Sequence, residues 1–255
     1  MIRGLYTAAT GMLVQELKQD NITNNLANMN TPGYKKTELA VSSFPQVLLK
    51  RIDAIKGSAA GTTPVGPLNN GAMLDEQIID WAEGNLEETG NSYDLAINGE
   101  GFFTIETAQG LRYTRNGSFR LDGQGYLVTA QGDYVLGLNG PILVQGSSFT
   151  VAADGSLTVD GVYVDHLLIT GFPDKQGLQK MGHDLYSAPE GALPRALEPG
   201  ETAVKQGFLE KPNLNLVNEM VNMLAALRTY EANQKVIQAH DELLAKSANE
   251  IGSLR

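Results

Sequence analysis

The chain has 255 residues, 42% hydrophobic and 19% charged, which is length and apolar content enough for a packed core and a composition outside the disordered class. It has no cysteine, so disulfides, thiolate metal sites and a cysteine nucleophile are excluded. A net charge of −10 argues against nucleic acid or an acidic membrane as partner. That charge is unevenly placed: residues 1–36 carry +2, residues 37–212 carry −11 and residues 213–255 carry −1. The middle therefore reads as solvated and outward, and the two ends as charge-poor enough to pack closely.

Arg3 and the uncharged run from Gly4 to Val14 have the outline of a signal peptide, but the run holds Tyr6, Thr7, Thr10 and Gly11 and lacks a small-residue cleavage site. An uncleaved N-terminus is expected. No window of eighteen apolar residues occurs, so no transmembrane helix is expected. Instead Leu5, Ala8, Met12, Gln15, Gln19, Ile22, Leu26 and Met29 repeat a three–four step, the mark of a heptad helix. Asparagines at 21, 24, 25, 28 and 30 crowd its second half, and asparagine competes for nearby backbone groups, so this helix is marginal alone. It ends at Asn30-Thr31-Pro32-Gly33-Tyr34, where Pro32 forces Thr31 out of helical space and Pro-Gly favours a type II turn.

Phe44 to Ile55 reads as a short helix, Gly57 to Gly71 has linker composition, and Met73 to Gly84 alternates as a strand would. Beyond Asn85, turn signals such as Asn98-Gly99, Asn116-Gly117, Asp122-Gly123, Asp154-Gly155 and Asp160-Gly161 separate short β-rich runs. Strands are predicted at 95–97, 102–105, 111–114, 126–129, 134–138, 149–152, 157–159 and 167–172, which makes a sandwich or irregular barrel. Residues 174–212 read as loop-rich. The final stretch is the most regular: Leu216, Met220, Met223, Leu227, Tyr230, Gln234, Ile237, Asp241, Leu244, Ala248 and Ile251 alternate steps of four and three without a break. Pro212 precedes it, and Asn213 or Asn215 can cap it. Such a helix would be about 55 Å long. It either lies across its own domain or seeks another helix.

No chemistry emerges from the polar residues. His166, His183 and His240 have neither metal nor triad spacing. Gly99-Glu100-Gly101 lacks the rest of a phosphate loop, Asp122-Gly123-Gln124-Gly125 has too few oxygens for calcium, and Glu87, Glu88 and Glu106 suggest a glycosidase pair only by abundance. Trp81 reads as a core anchor or hinge. No enzyme activity, cofactor, metal or small-molecule substrate is expected.

Four segments then carry a resemblance. GLYTAATGM with NNLANMNTPGYKK, YDLAINGEGFF, RYTRNGSFRLDGQGYLVTAQG and NLNLVNEMVNMLAALRTYEANQKVIQ are similar, in this order, to signatures of the bacterial flagellar rod and hook protein family. The resemblance spans nearly the whole chain. It implies a structural protein, exported uncleaved by the flagellar secretion apparatus to the basal body outside the cytoplasm. There both terminal helices would pack into a tubular, coiled-coil-like core around which a mainly β central domain is carried. Implied partners are further copies of itself, neighbouring rod and hook proteins and the export apparatus, with a distal-rod or proximal-rod type as the member. Asn25, Leu26, Ala27, Asn28, Thr31, Gly33 and Tyr34 match the first signature, and Asn215, Leu216, Glu219, Met220, Asn222, Met223, Tyr230, Glu231 and Asn233 the last.

The expected divisions are a helix and turn over 1–36, a transition over 37–84, a β domain over 85–212 and a helix over 213–255. The expected assembly interface is Leu5, Met12, Ile22, Asn25, Leu26, Asn28, Gly33, Tyr34, Leu216, Met220, Met223, Leu227, Tyr230, Ile237 and Leu244. The alternative is a secreted β-domain adhesin closed into a small oligomer by its terminal coiled coil.

Overall fold

The computed structural model describes residues 2–53, 61–189, 191–192, 194–197 and 202–252. The chain is mainly β, with a long helix at each end, α1 (Ile2–Ala27) and α2 (Leu216–Gly252). It divides into two compact units: residues 1–26, 37–78 and 215–255 form one, and residues 27–36 and 79–214 form the other.

The first unit holds both helices and two strand pairs. Strand Thr37–Ser43 pairs with Ala72–Ile79, and Val47–Asp53 pairs antiparallel with Gly61–Leu68. The expected helix from Phe44 is therefore a strand over Val47–Asp53, and residues 54–60, which include part of the expected linker, lie outside the described residues. Cross-strand pairing with Thr62, Thr63 and Leu68 decides this segment, whose own sequence is equivocal. The crowded asparagines of α1 have a local use. Asn25 donates to the Thr37 carbonyl (2.9 Å) and accepts from the Thr37 N–H (3.2 Å), and Asn21, one helical turn earlier, donates to the same carbonyl (2.7 Å). Two side-chain amides thus take the ladder position a neighbouring strand would hold.

The second unit is built on a mixed-length antiparallel sheet with strand order Gln179–Lys180, Leu185–Ser187, Gly110–Thr114, Phe102–Thr107, Tyr134–Gly137, Leu127–Val128, Arg120–Leu121. A second sheet orders Phe149–Val151, Ser156–Val159 and Val162–His166. Leu95, Phe103, Ile105, Leu127, Val135, Leu157 and Leu167 fill the core between them. A smaller cluster of Phe102, Tyr113, Phe172 and Tyr186 receives Trp81, whose ring meets Phe102 edge-on at 5.3 Å. Neither sheet closes, so the barrel alternative is not formed; strands of two or three residues cannot carry a ladder round to its start. Among its described residues, the stretch read as loop-rich carries five short strands, including Ala203–Gln206 on Leu95–Asn98 and Phe208–Glu210 on Leu86–Glu88.

Candidate assembly surfaces

α2 begins as its sequence dictates: Asn215 is the cap, its side-chain oxygen accepting the Asn218 N–H at 3.1 Å. In the helical unit, a Cβ added to Gly4 would stand 2.6 Å from His240 Nε2, and one added to Gly11 2.9 Å from Asn233 Nδ2. Seven residues forward on α1 match seven backward on α2, so the helices run antiparallel there, and the glycines admit side chains that no larger residue would. The shielded side of α2 is accordingly Glu219, Met223, Ala226, Tyr230, Asn233, Ile237 and His240, a heptad stripe that shares Met223, Tyr230 and Ile237 with the expected seam. On α1, Ala8, Val14, Ile22 and Asn25 are buried.

The other side of α2 is open; it is apolar over its first two turns and mixed beyond, where Arg228, Glu231, Lys235 and Glu242 share it. Val217 is 67% exposed, and Met220, Val221, Leu224, Val236 and Leu243 are also exposed. At about 100° per residue all six fall on one half of the helix. Of the expected interface residues, Leu216, Met220 and Leu244 are exposed; Leu5, Met12, Leu26, Asn28, Met223, Leu227, Tyr230 and Ile237 are half-buried; Ile22, Asn25, Gly33 and Tyr34 are buried. The sequence did not single out Val217, Val221, Leu224, Val236 and Leu243, although they too recur at helical spacing.

In the β unit, the turn after α1 is the expected type II turn: the Tyr34 N–H donates to Thr31 O at 3.3 Å and Gly33 has φ +70°. A Cβ on Gly33 would lie 2.4 Å from the Arg115 carbonyl carbon, so the turn sits against backbone. Gly33 N–H donates to Glu210 O at 2.7 Å. The next turn residue, Lys35, is buried, and its Nζ lies 2.6 Å from Glu210 Oε1 and donates to Ala82 O at 2.7 Å. Arg115 Nε lies 3.0 Å from Glu210 Oε2, while its terminal nitrogen donates to Gly99 O and Gly101 O. The Gly84 N–H also donates to Glu210 Oε1 at 2.9 Å. One carboxylate, 2% exposed, thus joins two buried cations and the backbone at Gly84, while the main-chain carbonyl of the same residue holds the turn at Gly33. Burial pulls the Lys35 ammonium below its usual value, and Glu210 opposes that. Lys180 stacks on the outer side of the turn, its Nζ 3.6 Å from the Tyr34 ring centre, and burial lowers it to about 8 against the pull of Asp184.

Beside the ion cluster three segments of this unit close a ring of hydrogen bonds. Asp80 N–H donates to Lys36 O (2.8 Å), Lys36 N–H donates to Asn213 Oδ1 (2.7 Å), and Asn213 Nδ2 donates to Asp80 O (2.8 Å). Sequence reading missed Lys35, Arg115, Glu210 and Asn213 as a set, because they lie up to 178 positions apart. A cavity of about 240 Å³ adjoins Lys35, Arg115, Trp81, Glu83, Glu100 and Lys175, with as many acids as bases once Glu210 is counted. Among the described residues no three metal-ligating side chains cluster. Glu87 forms an exposed pair with Lys211 at 2.9 Å.

Three family models match the chain in order: Flagella basal body rod protein over residues 5–35, Flagellar hook protein FlgE/F/G D1 domain over 96–159, and Flagellar basal body rod FlgEFG protein C-terminal over 205–251. The flagellar basal-body rod protein FlgG of Bacillus subtilis is 37% identical over 267 aligned positions, covering 98% of this chain and 99% of that protein. The flagellar hook-basal body complex protein FlhO of the same organism is 33% identical over the full length of both chains. The FlgG of Buchnera aphidicola subsp. Baizongia pistaciae is 33% identical over 96% of this chain and 98% of its own. With its ends, its middle and its whole length all matched, this chain belongs to the flagellar basal-body rod protein family.

Proposed function

We propose that this chain is a structural, non-enzymatic subunit of the flagellar rod, located in the basal body outside the cytoplasm and exported without loss of its N-terminus. It assembles with copies of itself and with neighbouring rod and hook proteins after passage through the flagellar export apparatus. The observation that carries this reading is the outward apolar start of α2, Val217, Met220, Val221 and Leu224, with Val236 and Leu243 further along one edge of the same side. A helix whose first two turns are apolar on the open side while Glu219 is shielded leaves that hydrophobic face for another helix. In the assembled rod α1 and α2 form a coiled-coil-like core, and Leu216, Met220 and Leu244 meet other copies directly. Asn25, Gly33 and Tyr34 act inside the subunit, holding the first strand and the turn. The adhesin alternative is not favoured, since it accounts for neither the turn nor the full-length matches.

Covering six half-exposed aliphatic side chains is worth roughly 1 kcal/mol each, before association entropy is subtracted. Met220→Glu removes one and places a carboxylate in the contact. Because Met220 is exposed, the isolated chain should melt as the wild type does, while incorporation into basal bodies and motility fall sharply. Met223→Glu, on the shielded side, should instead perturb the monomer. Wild-type incorporation of Met220→Glu would overturn the proposal.

A further inference from the structure

The outer strand of the three-stranded sheet, Val162–His166, is reached through a two-residue turn in which Asp160 and Gly161 both have positive φ (51° and 80°), the mark of a type I′ hairpin. Its register pairs Thr158 with Tyr163 and Leu157 with Asp165, leaving Val164 unmatched. This is a β-bulge, and it breaks the alternation of the strand. Leu157 and Asp165 face inward together, and Asp165 accepts from the Asn139 backbone N–H (3.2 Å) and the Asn139 side chain (2.8 Å). Tyr163 and Val164, neighbours in sequence, are both left outward. Val162 is 68% exposed, Tyr163 58% and Val164 39%. Leu138, 59% exposed, is tied to this strand through its N–H bond to His166 O. The result is an open apolar patch. The segment that carries it is of one sign: residues 121–174 contain six aspartates, of which Asp165 is turned inward, and no Lys, Arg or Glu.

We propose that Leu138, Val162, Tyr163 and Val164 are the contact by which the β unit of one copy docks on a different face of the β unit of a second copy of this chain. This rests on the rod reading above. The patch exposes on the order of 400 Å², about half of what each partner gives to a stable interface, so it cannot hold a free partner alone. It suits copies already gathered by their helices, where the second contact forms at high effective concentration. Charge selects the face. Two like patches would set aspartates against aspartates, whereas the unit's basic residues all lie outside 121–174, as at Arg112 beside the exposed Leu111. The contact is therefore heterologous, and heterologous contacts propagate into open polymers where like-to-like contacts close into dimers.

The test is photo-crosslinking in basal bodies purified from cells making the full chain with p-benzoylphenylalanine in place of Tyr163. Switching the cells from light to heavy isotope medium during rod assembly labels earlier and later copies differently and separates links between copies from links within one. A mixed-label link from position 163 to a segment outside 121–174 is expected. A link between two 121–174 segments, a link to another protein, or no link would overturn the inference. In parallel, Tyr163→Asp should leave the melting of the isolated chain unchanged and speed dissociation of purified rods about tenfold; an unchanged rate would also overturn it. Absence of the unsubstituted chain from basal bodies would overturn the rod reading itself, and so the two failures are distinguishable.

Discussion

Glu210→Gln is the most informative single change in the β unit. It keeps the shape and one acceptor but removes the charge shared by Lys35 and Arg115, at 2.6 and 3.0 Å. At an effective dielectric near 20, each contact is worth roughly 5 kcal/mol of Coulomb attraction before desolvation is counted. Both cations would remain in place, repelling one another with no carboxylate between them. Water entering the adjoining 240 Å³ cavity offsets part of this loss. Removing one partner of a buried ion cluster typically costs about 3–5 kcal/mol, which the geometry here supports. At about 2–4 °C per kcal/mol, the melting temperature should fall by roughly 10–15 °C. The one tryptophan, Trp81, packs on Phe102 and Tyr186 in the same unit, so its fluorescence reports the transition. Lys35→Met combined with Glu210→Gln should cost less than the sum of the two, since Arg115 keeps its bonds to Gly99 O and Gly101 O. A fall under about 3 °C for Glu210→Gln would mean the cluster contributes no more than a surface pair, and the reasoning would be refuted.

Gly33→Ala combines a positive φ with a Cβ 2.4 Å from Arg115 backbone, and should destabilise the β unit by at least about 2 kcal/mol, read as a lower urea midpoint. Lys180 titrates near 8 when folded and near 10.5 when unfolded, so in that window the unfolded chain binds more protons and stability rises with pH. The unfolding free energy of the wild type relative to Lys180→Met should therefore increase from pH 7.5 to pH 10, and a flat or falling difference would contradict the burial of this ammonium.

Both helices were legible in the sequence because their apolar steps persist over many turns, and the type II turn was legible because Pro32-Gly33 admits few other conformations. The rotational setting of α2 was not. Leu216, Val217, Met220, Val221, Met223 and Leu224 spread over about 160° of its circumference, and which edge of that arc faces inward is decided by two residues far away, Gly4 and Gly11, that let His240 and Asn233 approach. Likewise Val47–Asp53 has no strong preference of its own and is made a strand by Gly61–Leu68, whose Pro64 and Pro67 give it linker composition. The ion cluster has one visible member, Lys35 in the turn motif, and two invisible ones. Nothing local marks Glu210 or Arg115 as its partners.

The ring formed by Lys36, Asp80 and Asn213 has a consequence for chemical lifetime. It needs an amide, because the same side chain accepts at Oδ1 and donates at Nδ2. Slow hydrolysis of asparagine to aspartate would keep the acceptor, lose the donor and set a carboxylate against the Asp80 carbonyl. Two circumstances oppose that reaction: the amide is held at both ends, and the residue that would attack it through its backbone nitrogen, Leu214, is bulky. The ring thus depends on one amide whose loss its own geometry slows, and it should outlast the amides of the unit's Asn-Gly pairs at 98–99, 116–117 and 139–140.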